Sequence, residues 1–258
     1  MKRAAYLIIL IALWLGAAAG LPAGDEAPAA APPLTVGVIG ASVSAGFPTT
    51  VRLAKLIGIC LQAQVVDAAT EQFFLAPLER GETAVKTMQE KKPTLVVGAD
   101  FLFWYVYGDG PATRRLARLQ QALRLLETLE CPVYVGDLPA AGDSIILPAR
   151  VVPPPAELAL FNGLVYAWAR KHANVHILPA AAWAVAIRKG EPITVNGQAL
   201  ALQKDDLYQL DGLHLTGKGL SYLAVLVVEQ LAETEPLVRE RPRRRDPEAV
   251  LKEANQGQ

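Results

Sequence analysis

The sequence is short of the residues on which several chemistries depend. Two cysteines among 258 residues exclude a disulfide-stapled scaffold and a cysteine-rich metal site. Three histidines leave few groups for acid–base work, and no His/Asp/Glu cluster stands at metal-ligand spacing, so no metal site is expected. Charge of one sign is missing too: 25 Lys+Arg balance 25 Asp+Glu, which argues against a nucleic-acid partner. Charged residues are only 19% of the chain while 52% are hydrophobic, which excludes a disordered chain and suffices for one large core. Phosphate-binding loops are absent as well. Gly37, Gly40 and Gly46 do not make G-x-G-x-x-G, no lysine completes a phosphate loop, and Asp67 alone would fit a ribose.

The chain ends read differently from its middle. Lys2 and Arg3 precede an uncharged run over 4–19 that finishes on Ala17, Ala18 and Ala19, the pattern of a signal peptide over 1–19. Export to a periplasmic or extracellular space is the expectation. The uncharged stretch continues to Gly24, so retention as a membrane anchor is the alternative, and membrane contact is expected only in that case. Residues 20–33, rich in Ala, Pro and Gly, read as a linker. Residues 235–258 read as a charged, disordered tail, whose arginines at 239, 241 and 243–245 are diluted by Glu240, Asp246 and Glu248. Cys60 and Cys131 lie in apolar segments and read as buried free thiols, with a disulfide open if the fold brings them together.

Between the ends, over 34–234, short β-rich runs alternate with helical periodicity. Strands are expected at 34–39, 64–66, 94–97, 132–135 and 175–178, and helices at 51–61, 82–91, 112–129, 156–172 and 216–232. That alternation predicts an α/β fold, a three-layer α/β/α sandwich around a mainly parallel, flavodoxin-like sheet. Asn196-Gly197 predicts a small hairpin between 193–195 and 198–202, and the Pro-rich stretch 137–155 reads as a loop.

Three segments fall where such sheets place their ligands. Gly40-Ala41-Ser42-Val43-Ser44-Ala45-Gly46 follows the first strand and can present a serine hydroxyl at a tight turn. It lacks the last glycine of the G-x-S-x-G elbow, against an ordinary α/β-hydrolase. Gly98-Ala99-Asp100 follows the third strand and leads into Phe101, Phe103, Trp104, Tyr105 and Tyr107; the first two read as core, the others as candidates to line a cleft. Asp211 and His214 are three apart, so one turn can set the carboxylate against the imidazole and make His214 a base toward a serine. His172 and His176 read as surface or core residues.

Ser42 in its glycine-bounded turn, the glycine motif after the third strand and the D-x-x-H before the last helix together resemble the SGNH/GDSL hydrolases, over about residues 35–231. The resemblance implies ester cleavage without metal or cofactor, with Ser42 as nucleophile, His214 as base and Asp211 as its orienting acid. Ser44 is a competing nucleophile by position. Gly98, Asp100, Trp104 and Tyr105 would face the oxyanion or the substrate. Two departures stand out. Asp100 occupies the place of the family's oxyanion-binding Asn, and no glycine lies between Asp67 and Glu71, where the family has another donor. Losing one donor typically costs about 10²–10³ in rate. Asp100→Asn is accordingly expected to raise activity. The sequence thus predicts an exported serine esterase, with carbohydrate acetyl esters as candidate substrates; the alternative is a non-catalytic relative that binds a glycan or protein partner.

Overall fold

The computed structural model describes residues 33–200 and 204–256. The expected signal segment and nearly all of the linker lie outside the described residues, and among those described no helix is long and apolar enough to cross a membrane. In chain order the elements are β1 (Thr35–Val38), α1 (Ser42–Ala45), α2 (Leu53–Leu61), β2 (Gln64–Asp67), α3 (Pro77–Lys91), β3 (Leu95–Gly98), α4 (Phe103–Val106), α5 (Ala112–Leu126), β4 (Val133–Gly136), α6 (Pro155–Ala169), β5 (Val175–Leu178), α7 (Ala180–Lys189), β6 (Ile193–Val195), β7 (Gln198–Leu200), α8 (Lys204–Leu207), α9 (Gly217–Thr234), α10 (Pro236–Arg239) and α11 (Pro247–Gln256).

The five main strands pair in parallel in the order β2-β1-β3-β4-β5. Alternation along each strand sends side chains to two cores. Val36, Val38, Leu95, Val97 and Tyr134 pack with α2, α7 and α9, while Ile39, Val96, Val133, Val135 and Val175 pack with α3, α4, α5 and α6. This is the expected three-layer α/β/α sandwich with a flavodoxin-like strand order. The order reverses between β1 and β3, and in open parallel sheets the crevice beyond the strand ends at such a reversal takes ligands. Ser42 follows β1 and Asp100 follows β3. Cys60 belongs to one core and Cys131 packs against the other, so the sheet separates two free thiols; Cys60 is buried, Cys131 half-buried. The expected hairpin forms as β6 and β7, which pair antiparallel.

Beyond the short helices α1, α4 and α8, two regions depart from the sequence expectation. The C-terminal stretch is not a disordered tail through 235–256: α10 and α11 close over α9 and α2, burying Val238, Val250 and Ala254 completely. Its arginines are not simply solvated. Arg243 Nε and Arg245 Nε donate to Glu229 Oε1 at 3.1 and 2.8 Å, and Asn196 Nδ2 donates to Oε2 at 2.7 Å. Glu229 is 1% exposed, and a buried carboxylate requires such partners. The second departure is α7, for which no element was expected. Its alanines blur the periodicity, but Pro179 before it and Gly190 in the left-handed conformation after it mark the ends.

Candidate active site

The turn after β1 is built around a missing side chain. Gly40 has φ +153°, and a Cβ there would sit 2.2 Å from Asp100 Oδ1 and 2.5 Å from Ser44 Oγ. The turn opens α1, whose N-cap position is Ala41 and carries no capping side chain. Asp100, arriving from β3, supplies the missing acceptor. Its Oδ1 accepts from Ala41 N at 3.0 Å and Ser44 Oγ at 2.6 Å, and its Oδ2 from Val43 N at 2.9 Å and Ser44 N at 3.3 Å. These are the orphan donors of a helix start, and a carboxylate is the side chain that satisfies most of them. Burial pushes the Asp100 carboxyl above its usual range, against the pull of these hydrogen bonds toward the ionised form.

This geometry corrects the sequence reading of Asp100. It clamps the serine turn and does not present a donor toward an oxyanion. It also settles Ser44, whose hydroxyl is fully buried and committed to Asp100. Ser42 remains, 8% exposed and lining the pocket beside the turn. The N–H groups of the second loop are engaged as well: Ala68 N donates to Val38 O, Ala69 N to Asp67 Oδ1 and Thr70 N to Gly40 O. Arg52 locks that loop, pairing with Asp67 at 2.5 Å and donating to the carbonyls of Ala69 and Ala45.

Asp211 and His214 come together as their spacing predicts. His214 Nδ1 lies 2.7 Å from Asp211 Oδ2, while Asp211 Oδ1 accepts from Leu213 N and His214 N at 2.8 and 2.9 Å. Burial raises the Asp211 carboxyl, but the bonds to His214 and the two backbone groups outweigh it and hold the group below its ordinary range. The pair directs imidazole Nε2 away from the carboxylate. Phe47 links this pair to the serine turn: its N–H donates to Ser42 O at 2.9 Å, and its ring lies edge-on to His214 with centroids 4.9 Å apart. Ser42 and His214 are not hydrogen-bonded to each other; in serine sites this bond often tightens only around substrate.

Ser42 opens onto a cavity of about 130 Å³. Asp100, Asp137, Trp104, Trp183, Leu213 and Leu215 share its wall with further aliphatic and aromatic side chains. Asp137, at the end of β4, was not singled out in the sequence, where it reads as the first residue of a loop. It is 5% exposed and accepts from Ala181 N at 2.7 Å and Tyr166 Oη at 2.9 Å, so it caps α7. Large apolar side chains also stand exposed near the segments that carry Asp211 and Trp104. Leu210 precedes Asp211 and is 98% exposed, Ile145 donates its N–H to Asp211 O, and Phe74 packs on Trp104.

The remaining candidates divide. Trp104 lines the cavity. Tyr105 does not: it is fully buried between Phe73 and Phe101, with its hydroxyl directed at Gly81 and without a hydrogen-bond partner among the described residues. Tyr107 is equally buried, stacked on Phe103. Gly98 is also internal, where a Cβ would lie 3.0 Å from Phe101 and 3.2 Å from Ile39, so its smallness serves packing. His172 sits half-buried beside Glu127 and His176 stacks on Tyr134, away from the site. Among the described residues no group of three His, Cys, Asp or Glu side chains is arranged to hold a metal ion.

No protein-family model matches the chain, and a search of curated proteins finds no match. Solved structures do match. A Bacteroides fragilis protein assigned as an acylhydrolase aligns with a TM-score of 0.54 at 18% identity, covering 80% of this chain and 92% of its own. A Slackia heliotrinireducens protein assigned as an SGNH hydrolase aligns with a TM-score of 0.51 at 16% identity, over 78% of this chain and 100% of its own. A GDSL-like lipase from Bacteroides thetaiotaomicron aligns with a TM-score of 0.50 at 14% identity, over 77% and 88%. The chain has an SGNH/GDSL hydrolase-like fold.

Proposed function

We propose that, on this SGNH/GDSL hydrolase-like fold, the chain is a serine esterase acting on carboxylic esters through an acyl-enzyme on Ser42. The observation that carries the reading is the Asp211–His214 pair, hydrogen-bonded at 2.7 Å beside an apolar cavity that Ser42 lines. The SGNH/GDSL-like neighbours add weight to it. In this mechanism the Ser42 hydroxyl gives its proton to His214 Nε2 while Oγ bonds the ester carbonyl carbon. Asp211 holds the tautomer and stabilises the imidazolium. The tetrahedral species collapses, the alkoxide leaves with the proton from His214, and water then hydrolyses the acyl-enzyme with the same imidazole as base. The N–H of Ser42, which Asp100 leaves out of its set, is the donor offered to the oxyanion. An export signal over 1–19 accompanies this reading.

The cavity disfavours a carbohydrate acetyl ester, because few polar groups line it to receive sugar hydroxyls. Turnover of p-nitrophenyl esters by the purified protein tests the reading. Ser42→Ala and His214→Ala each lower kcat/KM by at least about 10³-fold, with the melting temperature retained in Ser42→Ala and the fold retained in both. A second reading, a non-catalytic protein that binds its ligand in the same cavity, draws on the engaged amides of Ala68, Ala69 and Thr70. Binding without turnover would select it.

A further inference from the structure

The cavity beside Ser42 has an unusual balance of charge for an apolar pocket. Asp100 and Asp137 both line it, and among the described residues no lysine, arginine or histidine does. Arg188, whose charge reaches Tyr208 in the wall, is itself paired with Asp143 at 3.0 Å and donates to Ala140 O. Five aromatic residues share the wall: Phe103, Trp104, Trp183, Tyr208 and Tyr222. Aromatic faces attract cations through the ring quadrupole, most strongly when the cation is desolvated, and they do nothing comparable for anions. A desolvated carboxylate in the same wall adds attraction for a cation and repels a carboxylate or phosphate. Burial holds the Asp137 carboxyl above its usual range, and a neighbouring cation would favour its ionised form. A cavity of about 130 Å³ is close in size to one that holds a benzene-sized group, the bulk of a compact alkylammonium head.

We propose that the Ser42 cavity selects esters bearing a compact apolar cation, a quaternary alkylammonium group held by the aromatic wall and Asp137. The proposal rests on the esterase reading of the site and names its substrate class. Asp137 and Trp104 are the specificity determinants in this account, and Asp100 retains its hold on the serine turn.

The test compares two esters of nearly the same shape, acetylcholine and 3,3-dimethylbutyl acetate, which differ by a positive nitrogen in place of a carbon. Calorimetric titration of the Ser42→Ala protein measures binding without turnover. Acetylcholine binds at least about tenfold more tightly than the neutral ester. Asp137→Asn in that background brings the ratio close to one with little change for the neutral ester. Should that variant misfold through loss of the α7 cap, Trp104→Ala reports the same ratio. Equal binding, tighter binding of the neutral ester, or binding of neither overturns the proposal. Hydrolysis by the unmodified protein is read separately. A tenfold cation preference without turnover of either ester leaves the cavity assignment standing and removes the esterase reading; turnover of both without preference does the reverse.

Discussion

The Asp100 carboxylate and the Ser44 hydroxyl meet at 2.6 Å, and this contact, with three backbone N–H groups on the same carboxylate, sets the shape of the turn that presents Ser42. A residue standing where an oxyanion donor is expected therefore acts one step back, on the geometry of the turn that carries the proposed nucleophile.

The contact reverses the expected outcome of Asp100→Asn. Asparagine has a single acceptor oxygen, and its NH₂ would face donors that already point at it. The variant loses at least about tenfold in kcat/KM and about 1–3 kcal/mol of stability. Esterase assays and urea unfolding check both. A gain in activity at neutral pH would show instead that the carboxylate limits the oxyanion.

Tyr105→Phe goes the other way. The hydroxyl is buried at the surface of Gly81 with no partner, so it carries a desolvation cost with no return. Removing it leaves activity unchanged and raises stability by up to about 1 kcal/mol, read from the midpoint of urea unfolding.

Glu229 ties the C-terminal segment to the domain. Glu229→Ala leaves Arg243 and Arg245 without their shared acceptor and costs about 3–5 kcal/mol. Limited proteolysis then cuts within 235–246 in the variant and spares the parent. Equal resistance would place the anchor in the buried Val238 and Val250 alone.

Asp211 gives a pH signature with a fixed sign. Its folded carboxyl lies below the ordinary value of about 3.9, so the pair contributes stability that is fully present above that pH and is lost as pH falls through the folded value. Asp211→Asn lowers the melting temperature at pH 7, and the gap to the parent narrows in acid below about pH 4. A gap that stays constant down to pH 2 would show that the loss does not come from the carboxylate's charge.

How much of this was legible in the sequence follows from how local each feature is. Strand alternation and helical periodicity are local, and they place the five strands and most helices within a few residues; α3 begins at Pro77, earlier than its apolar spacing shows, because a proline at a helix start gives no periodic signal. The Asp211–His214 pair stands three apart in sequence and so was readable. Asp100 was found by position but misread, because its partners lie 56–59 residues away in sequence. Tyr105 and Trp104 are adjacent and chemically alike, and only the packing of α3 against Tyr105 separates core from cavity. Asp137 and the ordered C-terminus escaped for the same reason: each owes its place to a distant partner, Tyr166 and Ala181 for one, Glu229 for the other.

The most direct test of the account is covalent labelling of the purified protein with a fluorophosphonate, followed by mass-spectrometric location of the adduct. The account predicts one adduct, on Ser42, abolished in His214→Ala with the fold intact. An adduct on Ser44, or no adduct between pH 6 and 9 on a folded protein, would contradict it.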